Sequence, residues 1–177
     1  MVQRPAYAPD LSKGVLLVDW PLFGELSRAL ALKVARAWQP EMVIGIATAG
    51  VVPGAAIAAI LDLPFHSILV SRRYNTETIR ETPAVFGAAP SDARNKRVLV
   101  VDETCDSGDT IRLAVAALLN GGAREVKTAV SFKTGRYAPD FHALATESAI
   151  VLPWDREILD GDTLIPNPKY AGLLPLT

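Results

Sequence analysis

The stretch at residues 98–110, VLVVDETCDSGDT, decides the fold. It opens with four aliphatic residues in a row. An unbroken apolar run of this kind suits a strand in a parallel sheet covered by helices on both faces. Residues 97–101 are read as that strand. Two adjacent carboxylates, Asp102 and Glu103, follow, then a third acid, Asp106, and the turn Ser107-Gly108-Asp109 leading to Thr110, where a helix is expected to start. The first backbone N–H groups of such a helix have no partner within it and suit an anion. Gly108 lets the backbone approach that anion closely, and Ser107 and Thr110 add hydroxyl donors. Phosphate fits this loop. The acid pair cannot face a phosphate directly and is expected to face hydroxyl groups, a bound cation, or both.

Composition narrows the remaining choices. A chain of 177 residues is most simply one domain, able to bury about 70% of its unfolded surface. Its formal net charge of −1 and lack of a basic tract argue against nucleic acid as a partner. The apolar stretches at 43–46 and 51–61 are far short of the roughly 20 residues a membrane span needs, and the N-terminal MVQRPAYAPD does not read as a signal peptide. A soluble cytoplasmic protein is expected, with no membrane partner. The single cysteine, Cys105, excludes an internal disulfide; beside three carboxylates its thiolate is disfavoured, so it reads as a small loop-filler.

Along the chain, 14–18 reads as a first short strand. Pro21 then starts an amphipathic helix reaching Trp38, with Leu22, Leu26, Leu30, Val34 and Trp38 sharing a face. Residues 42–47 form a buried strand, 52–61 an Ala-rich helix with Pro53 in its first turn, and 65–70 the next strand, a pattern that implies a right-handed parallel crossover. Residues 71–96 break the rhythm and are expected to be a mobile active-site loop rooted at Arg72, Arg73, Tyr74 and Asn75. A helix at 110–120 stopped by Gly121 and Gly122, strands at 125–131 and 149–152, and a proline-rich irregular tail complete the chain. The expected architecture is α/β: a doubly wound, mainly parallel sheet flanked by helices, with ligands beyond the carboxyl ends of its strands. The loops 48–51, 102–109 and 132–140 leave those ends.

The constellation at 98–110 resembles the signature of the type I phosphoribosyltransferases. The segment IGIATAGVVPGAAIAAIL at 44–61 is similar to that family's pyrophosphate-binding loop. The resemblance implies a single domain over 1–177, with a small hood from the terminal segments and with 132–177 contributing the hood and base pocket. It implies phosphoribosyl pyrophosphate as donor, with Mg2+. Ser107, Gly108, Asp109 and Thr110 would wrap the 5′-phosphate, and Asp102 and Glu103 would hold the ribose hydroxyls and the metal, mainly through water. Ala47, Thr48, Ala49 and Gly50 would form a backbone nest for pyrophosphate, in which relatives often have a cis peptide without proline. Many relatives carry Arg or Lys in this nest; here Thr48 and Ala49 stand instead, so Arg72 and Arg73 are expected to close over the pyrophosphate. A second departure is Asp109, whose carboxylate beside a dianion is repulsive unless it points away.

Asp106 matches the position of the acid that handles the base's proton in purine-specific relatives, implying a general base. SFKTGRYAPDF at 131–141 and AIVLPWDRE at 149–157 look like the 6-oxopurine members, with Lys133 donating to the purine oxygen and Ile150, Trp154 and Asp155 near the base. Asp155 could meet an exocyclic amino group or serve as a structural turn acid. Relatives usually place a stacking aromatic where this chain has Ala149; either Trp154 substitutes or the pocket is built for another ligand. His66 and His142 read as structural. The implied function is purine salvage by a homodimer. The alternatives are transfer to orotate or another base, and a non-catalytic regulatory or stress-associated module that binds the donor.

Overall fold

The computed structural model describes residues 11–74, 78–86, 89–171 and 173, and for 71–84 and 86 the backbone alone. A six-stranded sheet lies at the centre of residues 24–146. Its strands are β2 (Met42–Ala47), β3 (Phe65–Tyr74), β4 (Thr78–Phe86), β5 (Arg97–Cys105), β6 (Glu125–Lys133) and β7 (Phe141–Ala145), in the order β4-β3-β2-β5-β6-β7. All neighbours are parallel except β4, which returns antiparallel along β3. Helix α1 spans Trp20–Ala37, α2 Val51–Leu61 and α3 Asp109–Asn120.

Side-chain alternation along β5 supplies both faces of the core. Val98 and Val100 pack with Ile44, Ile111, Ala114 and Leu118 on the α3 side, whereas Leu99 and Val101 pack with Leu30, Val34, Val43 and Ile57 on the side of α1 and α2. Burial on both faces is why the strand reads as an unbroken aliphatic run. The doubly wound α/β sheet is as expected.

Several boundaries differ from the expectation. The segment 71–96 is not one structureless loop: β3 runs on to Tyr74 and β4 pairs with it in a hairpin carrying a bulge between Ser71 and Arg73. Thr78, Ile79, Thr82, Val85 and Phe86 favour a strand, and an edge strand tolerates Pro83. Arg72 and Arg73 lie in β3, and the roles expected of their side chains, like residues 75–77, lie outside the described residues. Strand β5 continues through Asp102 and Glu103, so the acid pair belongs to the strand end and not to a loop. Strand β7 lies in a segment, after residue 140, for which the sequence suggested no element.

Both ends of the chain form a second compact unit, divided from the first after Phe23 and before Glu147. Within it β1 (Val15–Leu17) pairs in parallel with β8 (Ala149–Val151). The tail read as irregular contains the antiparallel pair β9 (Glu157–Asp160) and β10 (Thr163–Pro166). Asp155 ties this unit together: its Oδ2 accepts from Lys169 Nζ and Tyr170 OH, both at 2.7 Å, and its Oδ1 accepts from Asn167 Nδ2 at 3.1 Å.

Candidate active site

The chain reverses its direction of travel across the sheet between β2 and β5. From β2 it passes through α2 to β3 on one side, and from β5 through α3 to β6 on the other. The carboxyl ends of the two strands are therefore adjacent, the place where open α/β sheets bind ligands. The loop leaving β2 touches the end of β5. A Cβ on Gly50 would stand 2.7 Å from Asp102 Oδ1 and 2.9 Å from its Cα, so only glycine permits this approach. Asp102 is 8% exposed. Burial, with the charge of Glu103 beside it, holds its carboxyl well above the ordinary carboxylate range, and the Glu103 N–H donates to its Oδ1 at 3.0 Å.

Beyond the acid pair the backbone turns through exposed Asp106 and Ser107 into Gly108, whose φ of 80° is left-handed. Gly108 caps α3 and Gly50 caps α2; neither offers a side chain to the helix's first N–H groups. The two helix N-termini follow two neighbouring strand ends, each a place of partial positive charge. In the first loop the Ala47–Thr48 peptide is cis, as the resemblance implied.

The segment after β6 packs onto the turn at 106–108. Lys133 pairs in register with Cys105 and donates from Nζ to the Gly135 carbonyl at 2.9 Å. Gly135 lies against Asp106, where a Cβ would overlap the carboxylate. The Thr134 N–H donates to the Cys105 carbonyl at 2.9 Å and the Tyr137 N–H to the Asp106 carbonyl at 3.2 Å, and the Tyr137 ring covers Gly108. Lys133 and Asp106, far apart in sequence, are thus neighbours. Cys105 is the last residue of β5 and not part of a loop as expected; it is buried and its thiol is pushed up to about 11, chiefly by burial and then by the Asp102 charge, which disfavours a nucleophile.

Asp109 does not stand unpartnered beside the turn. Its Oδ2 accepts from Ser107 Oγ at 2.9 Å and its Oδ1 from Arg112 Nη2 at 2.9 Å; the same Nη2 donates to the Ser107 carbonyl at 2.7 Å. The Arg112 guanidinium also lies 5.2 Å from the centre of the Tyr137 ring. Gly135, Tyr137 and Arg112 escaped the sequence reading, which named Gly50 for its backbone alone and not for its contact with Asp102. For Arg112 a signal existed: Asp109 and Arg112 are three apart on a helix and must be neighbours.

Ile150 and Trp154 belong to the terminal unit. Ile150 is buried in β8 opposite Leu16, and Trp154 packs against Phe23 and Trp20, with ring centres 5.0 and 6.0 Å away. Ala149 is buried in the same strand.

A doubly wound sheet with an acid pair near the carboxyl end of its central strand and two glycine-capped helices at the switch point is the kind of place where open α/β sheets take phosphate-bearing ligands. Residues 16–160 match the phosphoribosyl transferase domain family, and the chain belongs to that family. It is a phosphoribosyltransferase. It is 28% identical to an orotate phosphoribosyltransferase of Saccharolobus solfataricus, over 89% of this chain and 78% of that protein. It is 24% identical to a xanthine-guanine phosphoribosyltransferase of Nitratidesulfovibrio vulgaris, over 92% of this chain and 98% of the relative. The crystal structure of a purine phosphoribosyltransferase from Pyrococcus horikoshii Ot3 superposes with a TM-score of 0.70 at 28% identity, covering 82% of this chain and 97% of the other.

Proposed function

We propose that this phosphoribosyltransferase moves the phosphoribosyl group from phosphoribosyl pyrophosphate to a 6-oxopurine, releasing pyrophosphate. The observation that carries the purine reading is the packing of the Lys133–Gly135 segment against Asp106. It brings the chain segment that carries Lys133 against the turn that carries Asp106, and a 6-oxopurine needs a donor of the first kind at its oxygen and an acceptor of the second at a ring nitrogen. The turn at 107–110 binds the 5′-phosphate through the first amides of α3, and the backbone at 47–50 binds pyrophosphate. Asp102 and Glu103 hold the ribose hydroxyls.

Asp102 and Glu103 are also the residues that fit magnesium, a hard cation that keeps several waters and uses one or two carboxylates. Burial, and then the charge of Glu103, raise the Asp102 carboxyl, and a cation beside the pair would favour its ionised form against both. Bound magnesium would neutralise charge on the pyrophosphate. Asp106 takes the proton from the attacking nitrogen, Lys133 fixes the base by its 6-oxo group, and the two loops hold donor and acceptor in line. A homodimer in the cytoplasm, as the resemblance implies, is part of the proposal. Among the described residues no helix is long and apolar enough to cross a membrane.

A second reading, transfer to orotate, is favoured by the relative of that name and by the buried Ala149 where purine enzymes carry an aromatic. Steady-state rates with separate bases distinguish the two: hypoxanthine, guanine or xanthine is expected to outpace orotate, and the reverse order rejects the purine reading.

A further inference from the structure

A carboxylate in the first turn of a helix that receives a phosphate dianion opposes binding through its charge, although its backbone N–H still donates. Asp109 is such a carboxylate, and it is the first residue of α3. The structure answers the conflict with one side chain. Arg112, one helical turn on, places Nη2 2.9 Å from Asp109 Oδ1 and 2.7 Å from the Ser107 carbonyl, so it neutralises the acid and withdraws a carbonyl from the turn at once. Its guanidinium lies against the Tyr137 ring, and Tyr137 covers Gly108, so the contact reaches all three residues of the turn's end. Ser107 Oγ donates to the other oxygen of Asp109, so each carboxylate oxygen has a donor within the turn and its helix.

We infer that Arg112 is a positioning residue for the donor's 5′-phosphate. It makes the Asp109 carboxylate compatible with a neighbouring dianion and holds the turn in shape, the Asp109 N–H itself lying 3.4 Å from Ser107 Oγ where a phosphate oxygen would replace that acceptor. The inference rests on the reading of residues 107–110 as the 5′-phosphate loop. Arg112 touches neither the ribose nor the base in this account, so its effect is confined to ligands carrying the 5′-phosphate.

The test is a double-mutant cycle read as dissociation constants for phosphoribosyl pyrophosphate with magnesium and for ribose 5-phosphate. Arg112→Met is expected to weaken both by about tenfold through the uncovered charge of Asp109. Asp109→Asn in the Arg112→Met background is expected to recover most of that loss, and Asp109→Asn alone to tighten binding. Far-ultraviolet circular dichroism of each ligand-free variant establishes that the fold is kept. The inference is overturned if Arg112→Met leaves ribose 5-phosphate affinity unchanged or if Asp109→Asn brings no recovery. It is equally overturned if Asp109→Asn alone weakens binding, a result that does not depend on how the arginine variant folds. Failure of the unaltered protein to bind either ligand would instead reject the phosphate-loop reading itself.

Discussion

The turn at 106–110 and the terminal unit holding Trp154 and Asp155 are built in opposite ways. The turn comes from consecutive residues between one strand and the helix it feeds, so its glycine, hydroxyls and acids keep fixed relations wherever such a strand and helix occur. The terminal unit joins the two ends of the chain. Strand β1 pairs with β8, Ser148 Oγ donates to the Lys13 carbonyl at 2.9 Å, and Asp155 reaches Lys169 and Tyr170. Chemistry concentrated in a contiguous segment survives being read one residue at a time; structure assembled from distant segments does not.

The sharpest way to probe the contiguous half is Asp106→Asn. Turnover is expected to fall by about 10² to 10⁴, the usual contribution of a general acid-base group, while donor affinity changes far less. Comparing single-turnover rates with donor dissociation constants checks the split, and parallel losses in both would remove Asp106 from the proton's path.

In the terminal half the expected loss is one of stability. Asp155→Ala removes the carboxylate that Lys169 and Tyr170 share, leaving Asn167 Nδ2 only its bond to the Asp155 main-chain carbonyl, and is expected to cost about 1 to 3 kcal/mol in chemical denaturation. An unchanged midpoint would show that the Asp155 cluster does not hold that unit together.

A smaller effect is expected at Lys133. Lys133→Met should raise the KM for hypoxanthine and guanine by about tenfold and narrow their advantage over adenine, since a donor aimed at an oxygen discriminates against an amino group. Equal losses for all bases would make Lys133 a general support of the loop.

The mildest effect reverses the usual sign. Because burial and Glu103 raise the Asp102 carboxyl in the folded state, its contribution to stability is fully present below the unfolded carboxylate range and is lost as pH rises through the raised value. Asp102→Asn should therefore raise the ligand-free melting temperature at neutral pH by about 2 to 5 °C while abolishing the extra stabilisation given by donor with magnesium. A lower melting temperature at neutral pH would contradict this assignment.

The same contrast explains how far the sequence could be read. The order of strands and helices through β2, α2, β5 and α3 was legible, because aliphatic runs and turn residues are local signals. The hairpin of β3 and β4 was not, since its pairing is long-range and its polar composition resembles a loop. Within the site, the acid pair and turn were visible by spacing. Gly50 against Asp102 and Gly135 against Asp106 were not, because only the folded chain shows what a Cβ would meet. The three side chains that donate to Asp155 were equally hidden, because they lie 12 to 15 residues further along the chain and give no local signal.

The central claim is base transfer onto a 6-oxopurine, and pyrophosphate release tests it most directly. The measurement uses the unaltered protein with phosphoribosyl pyrophosphate, magnesium and, separately, hypoxanthine, guanine, xanthine, adenine or orotate. The account expects release with one or more of the first three, little with adenine, and none without magnesium. Preference for orotate or adenine, or no release with any of the five, would contradict it.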